Sequence, residues 1–321
     1  MTRRVRLGGL ALAALLLAAG ATTPRLAAQA PGIEILPVQH GVYLLAGAGG
    51  NVVAQVGRNG VLLVDAGAPG ADGAIRAALD TLSPAPVRYI LNTSGDLDHT
   101  GGNEPLSTAG ANASVNIAGN FGFAIETAPI VAREAVYHAM SALDAAGQPA
   151  RPFDAWPTST FFTPLKTMVF DDQPIEIHAA PAAHTDGDLF VFFRQADVIA
   201  AGDVYVTETY PVIDLARGGS IQGLIDAANH LIALTIPRFN QQGGTLVVPG
   251  HGRISNEADV VEYRDMITIV RDRIQRRLAA GASLADVLGE GVTLDYDGIY
   301  GADDGPWTTA MFVEAVYRSL Q

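Results

Sequence analysis

The residues with the clearest capacity for chemistry lie in one short stretch, Ser94-Gly95-Asp96-Leu97-Asp98-His99. Two carboxylates and an imidazole fall within its last four residues, and the glycine-rich turn Thr100-Gly101-Gly102-Asn103 follows at once. Oxygen and nitrogen donors at this spacing suit a divalent metal ion, and the glycines allow the backbone to turn tightly. The alternative interpretation is an acidic surface turn that caps a helix.

A buried strand precedes this stretch. The run Val87-Arg88-Tyr89-Ile90-Leu91 is rich in apolar, β-branched and aromatic residues, which predicts a strand. The loop after such a strand is where α/β proteins commonly place their functional groups. Residues 94–99 are therefore interpreted as a ligand loop.

Three later fragments combine a strand end, a metal-capable side chain and a glycine. They are Ala183-His184-Thr185-Asp186-Gly187-Asp188, Ala201-Gly202-Asp203 and Val248-Pro249-Gly250-His251-Gly252. Each has an ordinary explanation on its own, because Gly-Asp after a strand is a common turn and a lone histidine is commonly structural. Together they predict a metal site assembled from separate segments of the chain.

The hydrophobic pattern predicts the elements that would carry these fragments. A meander of strands passes into a β-α-β unit, and the second half repeats that order, which favours an α/β sandwich. Helices are predicted at 71–82, 131–145, 223–234, 258–278, 284–288 and 308–320, and 147–164 is predicted to be a loop bordering a pocket.

The first thirty residues are predicted to be a signal peptide. Arg3, Arg4 and Arg6 form a positive region, Leu7 to Ala19 is apolar, and Ala28-Gln29-Ala30 offers a small-residue cleavage site. The apolar run is shorter than the ~20 residues that span a bilayer. We therefore expect a single domain over 31–321 that is exported to a bacterial periplasm or secreted, with no stable membrane anchor after cleavage.

The composition of the chain limits the classes of partner that it is expected to bind. The net charge of -13 disfavours nucleic acid and anionic membrane surfaces. There is no cysteine among the 321 residues, so any metal must be held by His, Asp, Glu or water. The expected partner is a small-molecule substrate, and the sequence sets no oligomeric state.

The fragments together resemble the metallo-β-lactamase fold superfamily of metallohydrolases over nearly all of residues 31–321. The resemblance implies the α/β (α+β) class and a four-layer αββα sandwich of two similar halves, with the metal site where loops from both halves meet. The family loop has the pattern His-x-His-x-Asp-His, and Ser94 and Asp96 stand in place of its two leading histidines. The implied metal ligands are Asp96, Asp98, His99, His184, Asp203 and His251.

The substitution concerns one of two implied metal positions. The second keeps Asp98, His99, Asp203 and His251, whereas the first keeps His184, the shared Asp203 and Asp96, because the Ser94 hydroxyl is short and weakly donating. An additional carboxylate makes a bound water less acidic and shifts preference from zinc toward iron or manganese. The expected cofactor is one or two divalent ions, zinc first, with iron or manganese as alternatives.

Several other side chains are expected near the site. The resemblance implies that Asp65 steadies the ligand loop. Asp188 is interpreted as a turn residue that supports His184. Tyr205 is expected either to donate to a developing oxyanion or to pack in the wall. His178 is the one other histidine expected to approach the site.

These residues predict an exported metal-dependent hydrolase that acts on an ester, lactone, thioester or amide through a metal-bound hydroxide. Asp98 would be both ligand and catalytic proton acceptor. Two alternatives stay open: a non-catalytic metal- or ligand-binding protein with a degraded first position, and a redox di-iron protein suggested by the acid at Asp96.

Overall fold

The computed structural model describes residues 32–111, 127–236 and 244–321. These residues belong to one compact unit, Gly32–Gln321. The predicted signal peptide at residues 1–30 lies outside the described residues, so cleavage and export stay predictions. No helix in the described ranges is both long and apolar enough to cross a membrane.

The first sheet contains the strands of the N-terminal half in sequence order. Strands β1 to β4 form an antiparallel meander, and β4 to β7 pair in parallel. The strands are β1 Glu34–Gln39, β2 Val42–Ala46, β3 Val52–Gly57, β4 Gly60–Val64, β5 Val87–Leu91, β6 Ile130–Arg133 and β7 Ser159–Phe161.

The second sheet repeats this organisation. Strands β8 to β11 are antiparallel neighbours, and β12 pairs with β11 in parallel. The strands are β8 Leu165–Phe170, β9 Gln173–Ala179, β10 Leu189–Phe193, β11 Val198–Val206 and β12 Leu246–His251. In both halves a helix connects the fourth strand of the meander to the parallel strand, which confirms the two similar halves.

The connecting helices are α1 in the first half and α5 in the second. The helices of the described ranges are α1 Asp72–Leu82, α2 Leu97–Thr100, α3 Asn103–Ala109, α4 Glu134–Ser141, α5 Ile221–Thr235, α6 Glu257–Ala279, α7 Leu284–Gly289, α8 Asp297–Tyr300 and α9 Thr309–Ser319. Short 3₁₀ turns occur at Phe153–Ala155 and Leu215–Arg217.

The period-2 alternation of strand side chains creates the layers. In β4, Leu62 and Val64 belong to the core between the sheets, whereas Val61 and Leu63 pack in the cluster that contains α1. Because both faces of the strand are covered, its sequence is apolar throughout.

The second sheet is covered on its other side by the C-terminal helices. Val191 and Phe193 of β10 join the core between the sheets, and Phe190 and Phe192 join the cluster formed with α5, α6 and α9. The order helix, sheet, sheet, helix confirms the α/β class and the four-layer αββα sandwich.

Two predicted elements were wrong. The helix predicted at 131–145 begins only at Glu134 and ends at Ser141, because Ile130–Arg133 forms β6 between β5 and β7. The backbone N–H and C=O groups of β6 are satisfied by the neighbouring strands, and the apolar residues of β6 are buried in the sheet. The loop predicted at 147–164 likewise contains β7, so the first sheet is two strands wider than the sequence indicated.

Candidate metal centre

The two sheets are joined at the edge where the predicted donors lie. The Asn51 amide nitrogen Nδ2 donates to the carbonyl oxygens of Pro249 at 3.0 Å and Gly252 at 2.9 Å, and its backbone N–H donates to Gly250 O at 2.8 Å. Gly250 packs directly against Asp203, since a Cβ at position 250 would lie 2.4 Å from Asp203 Oδ1. These contacts fix the His251 loop of the second sheet against the start of β3.

Asp65 holds the beginning of the ligand loop. Its carboxylate accepts hydrogen bonds from Thr93 N at 2.7 Å and Thr93 Oγ1 at 2.6 Å, and His99 Nδ1 donates to Asp65 Oδ2 at 2.8 Å. Because Nδ1 is engaged, Nε2 of His99 points at the remaining donors, an arrangement typical of a metal-ligating histidine.

Replacement of Asp65 by asparagine tests this role. The variant keeps a hydrogen-bond acceptor but removes the negative charge behind His99, so we expect metal affinity to fall about 10–100-fold. Competition with a chromophoric chelator measures the change. Affinity equal to that of the unmodified protein would show that Asp65 supports the loop without influencing the ligand.

Four of the predicted ligands converge on one position, named here the Asp98 group: Asp98, His99, Asp203 and His251. His251 Nε2 lies 3.1 Å from Asp98 Oδ2 and 3.6 Å from Asp203 Oδ1, and His99 Nε2 lies 3.1 Å from Asp203 Oδ1. Neighbouring donors of a tetrahedral ion with bonds of ~2.0–2.1 Å are separated by about 3.3 Å. Two imidazole nitrogens and two carboxylates at these distances therefore fit a divalent ion such as zinc.

Three predicted ligands form the Asp96 group: Asp96, His184 and Asp203. His184 Nε2 lies 2.5 Å from Asp96 Oδ2 and 3.8 Å from Asp203 Oδ2, and His184 Nδ1 donates to the carbonyl oxygen of Val212 at 2.9 Å. The donor atoms of this group lie within 4.8 Å of one another. Asp203 is thus shared by both groups.

The carboxylates and imidazoles strongly perturb one another. Burial would raise the pKa of Asp203, but the charges of His99, His184 and His251 and a hydrogen bond from His99 hold it far below its usual range. Burial would lower the pKa of His99, but Asp203 and Asp65 raise it well above its ordinary value. The raised pKa of His99 means that a divalent ion competes with a proton for this imidazole.

Asp96 has a different environment. Burial would raise its pKa, but hydrogen bonds from His184 and Arg217 outweigh burial and lower the pKa to about 2. Burial likewise opposes the charge on His184, yet the hydrogen bond to Asp96 and the charge of Asp203 raise the pKa of His184 to about 10.

Arg217 is the site residue that the sequence did not reveal. Its Nη1 lies 2.5 Å from Asp96 Oδ1, and its Nε donates to Asp214 Oδ2 at 2.7 Å. The only local signal is the spacing of three residues between Asp214 and Arg217, ahead of Gly218-Gly219. That pattern is typical of any ion-paired turn, and it does not indicate a contact with a residue in the other half of the chain.

The remaining predicted residues have supporting positions. Ser94 is buried, and its hydroxyl accepts a hydrogen bond from Asp96 N at 3.3 Å, so it shapes the ligand loop. Asp188 accepts from Thr185 N at 2.6 Å and Thr185 Oγ1 at 2.7 Å, which shapes the His184 turn. Burial raises the pKa of Asp188 to about 6.

The side chains of Tyr205 and His178 have hydrogen-bond and ring partners within the core. The Tyr205 hydroxyl donates to Ser255 Oγ at 3.0 Å, so of the two roles considered the structure favours wall packing. His178 stacks on Phe190 with 5.2 Å between ring centroids, and its Nε2 lies 3.1 Å from Glu176 Oε2. The geometry gives His178 a structural role.

The comparisons with known proteins agree with this arrangement. The family model of the metallo-beta-lactamase superfamily matches residues 46–251, which include the ligand loop and His251. No protein of curated function matches the sequence.

Solved structures of similar fold were found. The stereoselective inverting sec-alkylsulfatase Pisa1 from Pseudomonas sp. has a TM-score of 0.64 at 14% identity, with 89% of this chain covered. This chain spans only 50% of that protein. A metallo-beta-lactamase from Pontibacter korlensis has a TM-score of 0.52 at 16% identity, covering 74% of this chain and 99% of its own. The DIM-1 metallo-beta-lactamase has a TM-score of 0.51 at 14% identity, covering 75% and 99%.

At such identities the structural likeness concerns the fold, whereas the family model matches the sequence itself over more than half of the chain. The donor groups lie at the edge where both halves of that fold meet. The chain belongs to the metallo-beta-lactamase superfamily.

Proposed function

We propose that this protein is an exported metal-dependent hydrolase that acts on an ester, lactone, thioester or amide. The observation that carries the proposal is the convergence of the Asp98 group at distances that fit one divalent ion. Superfamily membership supports hydrolysis as the reaction class. Export rests on the N-terminal sequence and is tested by sequencing the mature N-terminus, which we expect at Pro31.

The exposure of the donors supports a catalytic rather than a purely structural ion. The His99 side chain is fully buried, whereas those of Asp98 and His251 are 40% and 33% exposed. Catalytic ions keep a position open to water, and with four protein donors here that position would be a fifth one, on the exposed side of the group. The exposed side of the Asp98 group is therefore the side from which water and substrate would approach.

Asp98, His99, Asp203 and His251 would hold the divalent ion, which would lower the pKa of a water molecule and polarise a substrate oxygen. Asp98 is the most exposed member of its group, so its carboxylate can orient that water and accept its proton. Asp65 and Asn51 hold the neighbouring loops, which limits movement of the donors.

The experiment begins with the element content of the purified mature protein. Hydrolysis is then assayed with a p-nitrophenyl ester, lactones, a thioester, nitrocefin and a secondary alkyl sulfate, the last because of the fold shared with an alkylsulfatase. We expect a bound divalent metal and turnover of at least one substrate, which chelation abolishes and added metal restores.

The other outcomes separate the alternatives. Bound metal without any turnover would favour the non-catalytic binding protein. Colourless protein that contains only zinc would eliminate the redox di-iron protein. Absence of both metal and turnover would overturn the proposal.

A further inference from the structure

We infer that the guanidinium of Arg217 takes the place of a metal ion at the Asp96 group, so that the protein binds one divalent ion, at the Asp98 group. The inference rests on the proposed function, because it assigns the number and place of the ions that such a hydrolase would use. It concerns a residue outside the family's ligand pattern.

Asp96 is already satisfied by protein groups. Its Oδ1 lies 2.5 Å from Arg217 Nη1, and its Oδ2 lies 2.5 Å from His184 Nε2. Both carboxylate oxygens are thus directed at nitrogen donors from two different segments. An ion bound by Asp96 would have to displace at least one of them.

The charge on Arg217 also opposes an ion at the Asp96 group. His184 Nδ1 donates to the carbonyl oxygen of Val212, which leaves Nε2 directed at Asp96, as in a metal-ligating histidine. The difference from a metal position therefore lies at Arg217 and not at His184. A histidine can release its proton to a metal, but the arginine beside Asp96 stays charged at any pH at which the protein is folded.

Arg217 is fixed in place by its own segment of the chain. It ends the 3₁₀ turn Leu215–Arg217, which Asp214 caps by accepting from Arg217 N at 3.0 Å while its other oxygen binds Arg217 Nε. The same segment is bonded to the His184 turn, since Asp214 N donates to His184 O and Asp186 N donates to Arg217 O, both at 2.9 Å. The arginine and the histidine are therefore positioned as one unit.

The segments that carry Arg217 and His184 pack tightly against each other. A Cβ added at Gly219 would lie 2.1 Å from His184 O, so the backbone of the arginine segment runs directly against the histidine turn. The Arg217 side chain cannot withdraw from Asp96 without also leaving Asp214. A permanent positive charge thus lies next to Asp96, where it would repel a second divalent cation.

Ser94 is the third residue that affects metal binding at the Asp96 group. Its hydroxyl bonds to the backbone of the ligand loop, so it supplies shape rather than a donor at this position. The lack of a metal ligand at Ser94 and the presence of the Arg217 cation both weaken metal binding at the Asp96 group. The Asp98 group alone keeps four ligands.

The test is the metal stoichiometry of the full-length mature protein, titrated with Zn²⁺ and measured by native mass spectrometry and elemental analysis. We expect one ion per chain for the unmodified protein. Arg217→Gln removes the charge and frees Asp96, so a second ion should bind at least ~10-fold more tightly than in the unmodified protein. Arg217→Lys retains the charge and should still bind a single ion.

Arg194→Gln is the matched control, because Arg194 is similarly exposed and pairs with Glu176 at 3.2 Å outside the donor groups. It should leave the stoichiometry at one. Two ions of comparable affinity in the unmodified protein would overturn the inference while leaving the hydrolase proposal intact, and this result does not depend on the folding of any variant. A folded Arg217→Gln protein that still binds one ion would also overturn it. Absence of metal from the unmodified protein would overturn both.

Discussion

Replacement of Asp203 by asparagine is expected to weaken metal binding strongly and with it any hydrolysis. Asp203 is the one carboxylate shared by the two donor groups: Oδ1 faces His99 and His251, and Oδ2 faces His184. An asparagine has nearly the same shape, but it is neutral and its amide NH₂ would face imidazole nitrogens. We expect affinity to fall roughly 10³-fold, equivalent to about 4 kcal/mol, a size in keeping with loss of one partner from a buried charged cluster.

Metal content after dialysis and chelator competition measure this effect. Asp197→Asn provides the control, since Asp197 is also buried, accepts from Thr245 Oγ1 at 2.7 Å and lies in the turn just before β11. Its positive φ of 57° is tolerated by asparagine, and it lies outside both donor groups. Metal binding by Asp203→Asn within ~10-fold of the unmodified protein would show that Asp203 is not a ligand of the bound ion.

The donors themselves could be predicted from the sequence. Each follows an apolar run and has a glycine within three residues in the sequence, and parallel or adjacent strand ends meet at one edge of a sheet. His184, Asp203 and His251 are therefore identifiable from their positions along the chain. The fold follows from the same pattern, because strands that are apolar on both faces must be covered on both faces.

Two features could not be predicted, for different physical reasons. Ile130–Arg133 is too short to show periodicity, and its conformation is set by pairing with β5 and β7. Arg217 and Asp96 lie on segments that are far apart in the sequence. Their contact depends on the backbone hydrogen bonds between the Asp214 turn and the His184 turn. Local sequence describes each turn separately, and only the folded chain joins them.

Metal affinity is expected to rise steeply with pH. In the metal-free protein the hydrogen bond to Asp98 raises the pKa of His251, and Asp203 and Asp65 raise the pKa of His99 against the effect of burial. Both imidazoles must lose a proton to become ligands, so below both pKa values affinity should change about 100-fold per pH unit. Chelator competition from pH 5.5 to 7.5, with calorimetry in buffers of different ionisation enthalpy, measures the slope and the protons released.

The variant His251→Gln should reduce this slope to about tenfold per pH unit, because one titrating ligand is gone. His138→Gln removes an exposed histidine paired with Glu134 and should leave the slope unchanged. An affinity that does not vary with pH would mean that the histidines are already neutral before metal binds.

The stability of the metal-free protein should have the opposite pH dependence. A histidine whose pKa is raised by folding stabilises the folded state fully below its unfolded value of about 6.5, and that contribution is lost as pH rises toward the folded value. For His184, with a pKa of about 10, the loss extends from about pH 6.5 to 10. The melting temperature of metal-free protein should therefore decline over this range, whereas that of zinc-loaded protein should decline less, because metal binding strengthens as protons leave. Parallel declines in the two forms would show that metal binding is not coupled to release of the histidine protons.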